Sequence, residues 1–405
     1  MKVVALGLQW GDEGKGKVVD FLSDSADIVV RFAGGNNAGH RISRGGKVFS
    51  FHLVPSGLLH SHTSVVLGSC MVINPESLFV ELDSIKNMGI EIAGRVAISN
   101  RAHVVFPEYL QQDKRQESER NNPIGTTGKG IGVAYMHKAT RTGVRFADIY
   151  NDAYVSTFND ESQEFILEFR DRLRPLLVDM PCHMQNAIDA NKNILFEGAQ
   201  GIMLDIDLGT YPYVTSSNTE LSGVCSGAHV SPREIDKIIG VCKAYSTRVG
   251  NGPFPTEYES EELLEKVRTI GHEFGVTTGR PRRCGYLDLV ALRYAVMCSG
   301  VTSLALTHLD VFDGFDEIQV CTSYSINGTE THHVPASLQE ISSAKPNLVT
   351  LPGWEESISD ITDRKRLPKE AQGYIEYIES FLDVSIDLIS VGPKDHQTIV
   401  HTSVW

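Results

Sequence analysis

The chain has no apolar run long enough to span a membrane, no C-x-x-C pair, no internal repeat and no low-complexity tract. The first absence argues against a transmembrane helix, which needs about 20 apolar residues. Seven cysteines (Cys70, Cys182, Cys225, Cys242, Cys284, Cys298 and Cys321) are scattered through 405 residues. An odd, dispersed set fits reduced thiols better than a disulfide framework or a zinc site. Positive charge is also scarce, with 37 Lys and Arg against 51 Asp and Glu and a formal net charge of −14. That balance disfavours nonspecific binding to nucleic acid or an anionic membrane, so a local basic cluster carries more information. The N-terminal residues lack the features of a secretory signal and read as a first strand. A cytoplasmic enzyme is expected.

What is present is a regular alternation of strands and helices. Residues 3–8, 27–32, 64–68, 193–197, 238–245, 303–307 and 386–391 form apolar, largely β-branched runs. Such runs belong to strands covered on both faces of a mostly parallel sheet. Asn74-Pro75-Glu76 marks a helix start, and Ser231-Pro232-Arg233-Glu234 reads as a capping box. Residues 261–274 and 286–297 have helical periodicity, 111–120 reads as an exposed helix, and 326–347 as a surface excursion. The expected fold is α/β: a single domain spanning residues 1–405, with a large mostly parallel central sheet, helices on both faces and a P-loop-NTPase-like nucleotide site.

The first strand runs into Gln9-Trp10-Gly11-Asp12-Glu13-Gly14-Lys15-Gly16-Lys17-Val18. Glycines after a strand let backbone amides turn inward, and the following helix N-terminus attracts anions. Gly11 to Lys17 has the G-x-x-x-x-G-K spacing of a phosphate loop, but Val18 replaces the hydroxyl residue that normally holds Mg²⁺. Another oxygen donor is required, and Asp12 is the nearest. Arg280, Arg282 and Arg283 form the clearest basic cluster, able to clamp carboxylates.

The block Q-W-G-D-E-G-K-G-K resembles the N-terminal signature of adenylosuccinate synthetases, and the resemblance covers nearly the whole chain. Residues 34–40 (GGNNAGH), 124–132 (IGTTGKGIG), 196–201 (FEGAQG), 211–219 (YPYVTSSNT), 243–250 (KAYSTRVG) and 252–257 (GPFPTE) follow in the family's order. The family fold and activity are therefore expected: GTP-driven ligation of IMP and L-aspartate through a 6-phosphoryl intermediate, with one Mg²⁺ per subunit. The resemblance makes Asp12 the base, His40 the acid and Lys15 a stabiliser of the phosphoryl group. It gives IMP to Asp12, Glu13, Gly14, Lys15, Asn37, Ala38, Gly39, His40, Thr127, Gln200, Thr215 and Arg280, and to Arg141 reaching across a homodimer. GTP falls to Gly11, Asp12, Glu13, Gly14, Lys15, Gly16, Lys17, Gly39, His40, Arg41, Arg282, His308, Leu309, Asp310, Ser390, Val391 and Gly392. Aspartate falls to Val276, Thr277, Thr278, Gly279, Arg280, Pro281 and Arg282, and Mg²⁺ to Asp12 and the Gly39 carbonyl. Asn36, Arg41 and His308 depart from the family's His, Thr and Lys. Two alternatives stay open: a paralogue using a GMP or dGMP acceptor or an ATP donor, and a GTPase-like regulatory nucleotide-binding protein.

Overall fold

A computed structural model describes residues 1–44, 47–275, 279, 281–394 and 396–405; for Arg41, Ser43 and Lys47 only the backbone is considered. Eleven strands build the main sheet. In chain order they are β1 (Lys2–Gly7), β2 (Ile28–Gly34), β3 (Ser64–Ile73), β4 (Val96–Ser99), β5 (His103–Val104) and β6 (Leu177–Val178). β7 (Ile194–Glu197), β8 (Lys237–Lys243), β9 (Ser303–Thr307), β10 (Ile386–Ser390) and β11 (Thr398–Val400) complete it. The spatial order is β11-β10-β9-β8-β1-β7-β2-β3-β4-β6, with β5 paired to β3. Every pairing is parallel except β10 with the edge strand β11.

Alternation within β1 shows why the sheet needs cover on both sides. Val4 and Leu6 enter one core with Phe32, Phe196 and Leu304, while Val3 and Ala5 enter a second with Val29, Leu67 and Leu195. All the named side chains in these two sets are essentially inaccessible. Helices α1 (Lys15–Ser23), α2 (Pro75–Asn87), α3 (Pro107–Glu119) and α4 (Ile131–Thr140) pack residues into the second core. Helices Leu289–Ser299 and Lys369–Leu382 pack into the first. The predicted cap of α2 is present: Asn74 accepts the Ser77 N–H at 2.8 Å. Such a cap is worth about 1 kcal/mol against alanine.

Four sequence expectations need correction. Ser231 begins only a 3-10 turn, Pro232–Glu234, before the chain enters β8. Pairing of the β-branched run of β8 with β1 and β9 overrides the local capping signal. The helix expected over residues 261–274 stops at Ile270, and the one expected over 286–297 begins at Leu289, capped by Asp288. The excursion at 326–347 belongs partly to a second sheet. There Glu317–Ile326 pairs antiparallel with Thr329–Thr331 and Lys345–Pro352, over a small core of Val290, Cys321, Tyr324 and Ala344.

Six neighbouring parallel strands end at Gly7, Gly34, Glu197, Lys243, Thr307 and Ser390. The glycine-rich signatures follow those ends, so one edge of the sheet collects segments far apart in sequence. Ligands of open α/β sheets bind outside such carboxyl ends.

Candidate active site

The loop after β1 is shaped by a carboxylate folded into it. Glu13 is fully buried and accepts N–H groups from Gln9 at 3.1 Å and Gly11 at 2.9 Å. The Lys15 ammonium, also buried, contacts the other Glu13 oxygen. Gly11, Asp12 and Gly14 all take positive φ, at 82°, 58° and 82°. A Cβ on Gly7 would lie 2.3 Å from the Gln200 carbonyl oxygen and within 2.7 Å of both Glu13 carboxylate oxygens, so only glycine leaves room for this packing. Helix α1 then starts at Lys15 with no side-chain cap, leaving its first N–H groups for an anion.

Neighbouring strands lock this loop in place. The Thr307 hydroxyl donates to the Glu13 carbonyl at 2.6 Å. Gln9 accepts the Lys243 N–H at 3.0 Å and donates to the Tyr245 carbonyl at 2.9 Å.

Asp12 projects from its left-handed turn toward Arg282, with Oδ2 2.8 Å from Nε. Nη1 of the same arginine lies 2.7 Å from Glu273 Oε2. Burial would raise the Glu273 carboxyl, but Lys243, His308 and Arg282 hold it down to about 2. Glu273 therefore stays charged throughout the working pH range. Arg283, by contrast, bonds Glu257 and the Gly252 carbonyl, so the basic cluster divides its tasks.

His40 opens a hairpin, His40–Arg44 with Lys47–Phe51, that leans on α1. A Cβ built on Gly16 would sit 3.2 Å from the His40 Cβ, so the imidazole stands beside the helix N-terminus. Its Nδ1 lies 2.8 Å from Glu197 Oε1 at the end of β7. Glu197 is fully buried and accepts the Ser56 N–H at 3.1 Å. Burial pushes its carboxyl up, yet His40, Arg31 and that N–H outweigh burial and leave it below the ordinary value. A fixed carboxylate on Nδ1 orients the ring and leaves Nε2 for chemistry.

Among the monophosphate candidates, Gln200 takes φ 64° and its Oε1 is buried without a partner; so is Asn37 Oδ1. Buried unpaired acceptors of this kind mark places where a ligand donor fits. Thr215 follows the Tyr211–Val214 turn and bonds the Leu204 carbonyl through its N–H at 2.8 Å. Arg248, buried beneath, ties that turn together through Thr210, the Tyr213 carbonyl and the Pro253 carbonyl. Thr127 and Arg141 are exposed, and Arg141 ends α4 with φ 64°. Of nine described non-glycine residues with positive φ, four (Asp12, Arg141, Gln200 and His308) are candidates from the sequence. Strained backbone of this kind concentrates at functional sites.

On the far side, β9 ends in His308, whose φ of 58° turns the chain into a short 3-10 segment carrying Leu309 and Asp310. Burial and the Lys243 ammonium pull the His308 imidazole down to about 3, so it is neutral. Burial and Asp313 push the Asp310 carboxyl up to about 6 despite Lys17. Lys17 Nζ bonds Ser390 Oγ at 2.7 Å and the carbonyls of Gly392 at 2.6 Å and Gln397 at 2.9 Å. The phosphate loop is thereby joined directly to the Ser390–Gly392 turn. Val391 is buried under it.

Val276, Thr277, Thr278, Arg280 and the Arg41 side chain lie outside the described residues. Gly279 has φ 63°, and Pro281 bridges to Phe274. Sequence reasoning left Glu197, Glu273, Lys243 and Arg248 without roles. Glu197, Lys243 and Arg248 stood inside matched blocks, but only the folded chain shows what they face.

A strand–loop–helix anion site, a histidine paired with a buried glutamate and a half-buried aspartate at a neighbouring strand end are features of a nucleotide-dependent group-transfer enzyme of α/β architecture. Comparison with known proteins makes the class specific. The adenylosuccinate synthetase family model matches residues 4–164 and 153–399. An adenylosuccinate synthetase of Clostridium novyi is 46% identical over 98% of both chains. That of Trichodesmium erythraeum is also 46% identical, over 98% of this chain and 96% of its own. The fully ligated Plasmodium falciparum enzyme superposes with a TM-score of 0.93 at 38% identity, covering 99% of each chain. A cyanophage S-2L succinoaminodeoxyadenylate synthetase shares the fold, with a TM-score of 0.67 and 18% identity over 99% of this chain and 95% of its own. The chain belongs to the adenylosuccinate synthetase family. It is a GTP- and Mg²⁺-dependent ligase of purine biosynthesis that makes adenylosuccinate from IMP and L-aspartate on the branch to AMP. Among the described residues no helix is long and apolar enough to cross a membrane.

The His40–Glu197 contact generates a first prediction. Glu197→Gln keeps the shape but removes the charge that orients the imidazole. kcat should fall about tenfold or more, up to the 10²–10⁴ worth of a whole acid–base group, while KM for each substrate changes little. Steady-state kinetics with one substrate varied at a time checks it.

Proposed function

We propose that Asp12, His40 and Lys15 carry the phosphoryl-transfer half of the reaction. The observation supporting this is that the Asp12 loop leads into the uncapped N-terminus of α1 and His40 stands beside that helix's first turn, Asp12 paired with Arg282 and His40 with Glu197. Asp12 removes the N1 proton of IMP, so O6 gains electron density and attacks the γ-phosphorus of GTP. The O6–P bond forms as the bond to the β–γ bridging oxygen breaks, and GDP leaves. His40 donates a hydrogen bond to the oxygen shedding that bond, and Lys15, held by Glu13, faces the transferring group. The amino group of aspartate then attacks C6 and phosphate departs.

The residues present suit Mg²⁺. Asp12 offers a partly exposed carboxylate and Gly39 a carbonyl beside His40, and hard oxygen donors are what this ion takes. Held by these two oxygens, Mg²⁺ would supply charge neutralisation for the phosphoryl transfer. To act on the substrate, Asp12 loosens its contact with Arg282, which frees the guanidinium for the carboxylates of aspartate.

Asn37, Thr127, Gln200, Thr215 and Arg280 bind IMP, and Arg141 reaches it from the partner subunit of a cytoplasmic homodimer. The exposed, left-handed position of Arg141 at the end of α4 supports that crossing. Asp310 reads guanine N1–H and N2–H with its two oxygens, while His308 lies on the base face and the Ser390–Gly392 turn closes over it. Full-length identity of 43–46% to adenylosuccinate synthetases favours this reading over an altered acceptor or donor.

Two outcomes test the assignment. Asp12→Asn should fold yet lose about 10²–10⁴-fold in kcat. Mixed with inactive Arg141→Leu, it should regain activity, because one heterodimer site then holds both native residues. No recovery despite demonstrated subunit exchange would place Arg141 within its own chain. Asp310 supplies the second. A carboxyl pushed up to about 6 is ionised above that pH and protonated below it. KM for GTP should therefore climb as pH falls through about 6, and Asp310→Asn should abolish that climb.

A further inference from the structure

One buried polar cluster is larger than the fold requires. Glu273 has no exposed surface, and both its oxygens are engaged. Oε1 accepts Lys243 Nζ at 2.5 Å and the Tyr245 hydroxyl at 2.5 Å, while Oε2 accepts Arg282 Nη1 at 2.7 Å. Lys243 is itself 1% exposed and bonds Thr247 Oγ1 at 3.0 Å. A single carboxylate thus faces two cations. Among the described residues the balance closes through Asp12, 2.8 Å from Arg282 Nε. Burying one more charge than a simple Lys–Glu pair costs several kcal/mol unless something outside the cluster returns it. The link to Asp12 indicates where that return lies.

We infer that Glu273 is a positioning residue for the ligation: anchored by Lys243 and Tyr245, it fixes one edge of the Arg282 guanidinium and so sets the rest of that fork between Asp12 and a substrate anion. The inference rests on the reading that Arg282 meets aspartate and the triphosphate. A guanidinium has five N–H donors, more than its two carboxylate contacts use. With Glu273 in place, Arg282 can release Asp12 without losing its orientation. If Glu273 is neutral, Nη1 loses its charged anchor, and the guanidinium is free to turn wholly onto Asp12, its remaining carboxylate, in the bidentate geometry arginine favours. The base is then sequestered and the substrate anion loses its clamp. Lys243 and Tyr245 form the fixed side, keeping the carboxylate from following the arginine.

The test uses the full-length enzyme and four variants: Glu273→Gln, Lys243→Met/Glu273→Gln, Arg282→Gln and Arg282→Gln/Glu273→Gln. The Lys243→Met/Glu273→Gln protein avoids stranding a buried ammonium and carries the test where Glu273→Gln does not fold. In folded protein lacking the Glu273 charge, KM for aspartate should rise about tenfold or more and kcat should fall, with IMP affinity little changed. In the Arg282→Gln background, adding Glu273→Gln should change kcat/KM by less than about twofold, because Glu273 acts through that arginine. Folded variants with wild-type KM and kcat, additive losses in the cycle, or failure of both Glu273 variants to fold would each overturn the inference. Wild-type kinetics in Arg282→Gln alone would instead remove the underlying role of Arg282.

Discussion

The arrangement of the active edge depends on Glu13 turning its carboxylate back into the loop that carries it. With no exposed surface it gathers two backbone N–H groups and the Lys15 ammonium, and it leaves Asp12 pointing outward from a left-handed turn. Loop amides alone would not hold this shape, since Gly11 and Gly14 add conformational freedom. The neighbouring strands then read the loop as a rigid object: Thr307 bonds the Glu13 carbonyl, and Lys243 and Tyr245 bond Gln9. The shape of the loop, the outward aim of Asp12 and the join to the neighbouring strand ends are thereby set by one buried carboxylate.

An enzyme with a net charge of −14 must still hold several substrate anions. It does so by giving three of its site cations carboxylate partners: Lys15 with Glu13, Arg282 with Asp12 and Glu273, and Lys243 with Glu273. His40 is paired in the same way with Glu197. Such pairs hold the groups in place before substrate arrives, and preorganised charge is where enzymes gain most of their electrostatic stabilisation. His308, where the family's lysine would add another positive charge, is held neutral by burial and by Lys243. A neutral ring there can lie on a purine without opposing the cations around it.

Much of this was legible in the sequence for a physical reason. Buried parallel strands are written as local apolar runs, and all seven expected strands lie in the main sheet. The cap at Asn74 is written locally too. The capping box at Ser231 misled, because sheet pairing of the following residues outweighs a local signal. Short edge strands such as Leu177–Val178 carry too few residues for periodicity to register. The candidate site was legible as motifs, since the loops around Asp12, His40, Gln200 and Asp310 are contiguous segments. Their supporting carboxylates were not. Glu273 meets Lys243 from 30 residues away, and Glu197 meets Ser56 from 141. No spacing rule connects such pairs; the order of parallel strands does.

The central claim is that this edge of the sheet activates the 6-oxygen of the purine by phosphorylating it before aspartate displaces it. The most direct measurement follows that oxygen. IMP carrying ¹⁸O at position 6 is turned over with GTP and aspartate, and the released phosphate is analysed by mass spectrometry. The account predicts that the label appears in phosphate, one atom for each adenylosuccinate formed. Label released into water, with phosphate carrying oxygen only from GTP and solvent, would contradict it.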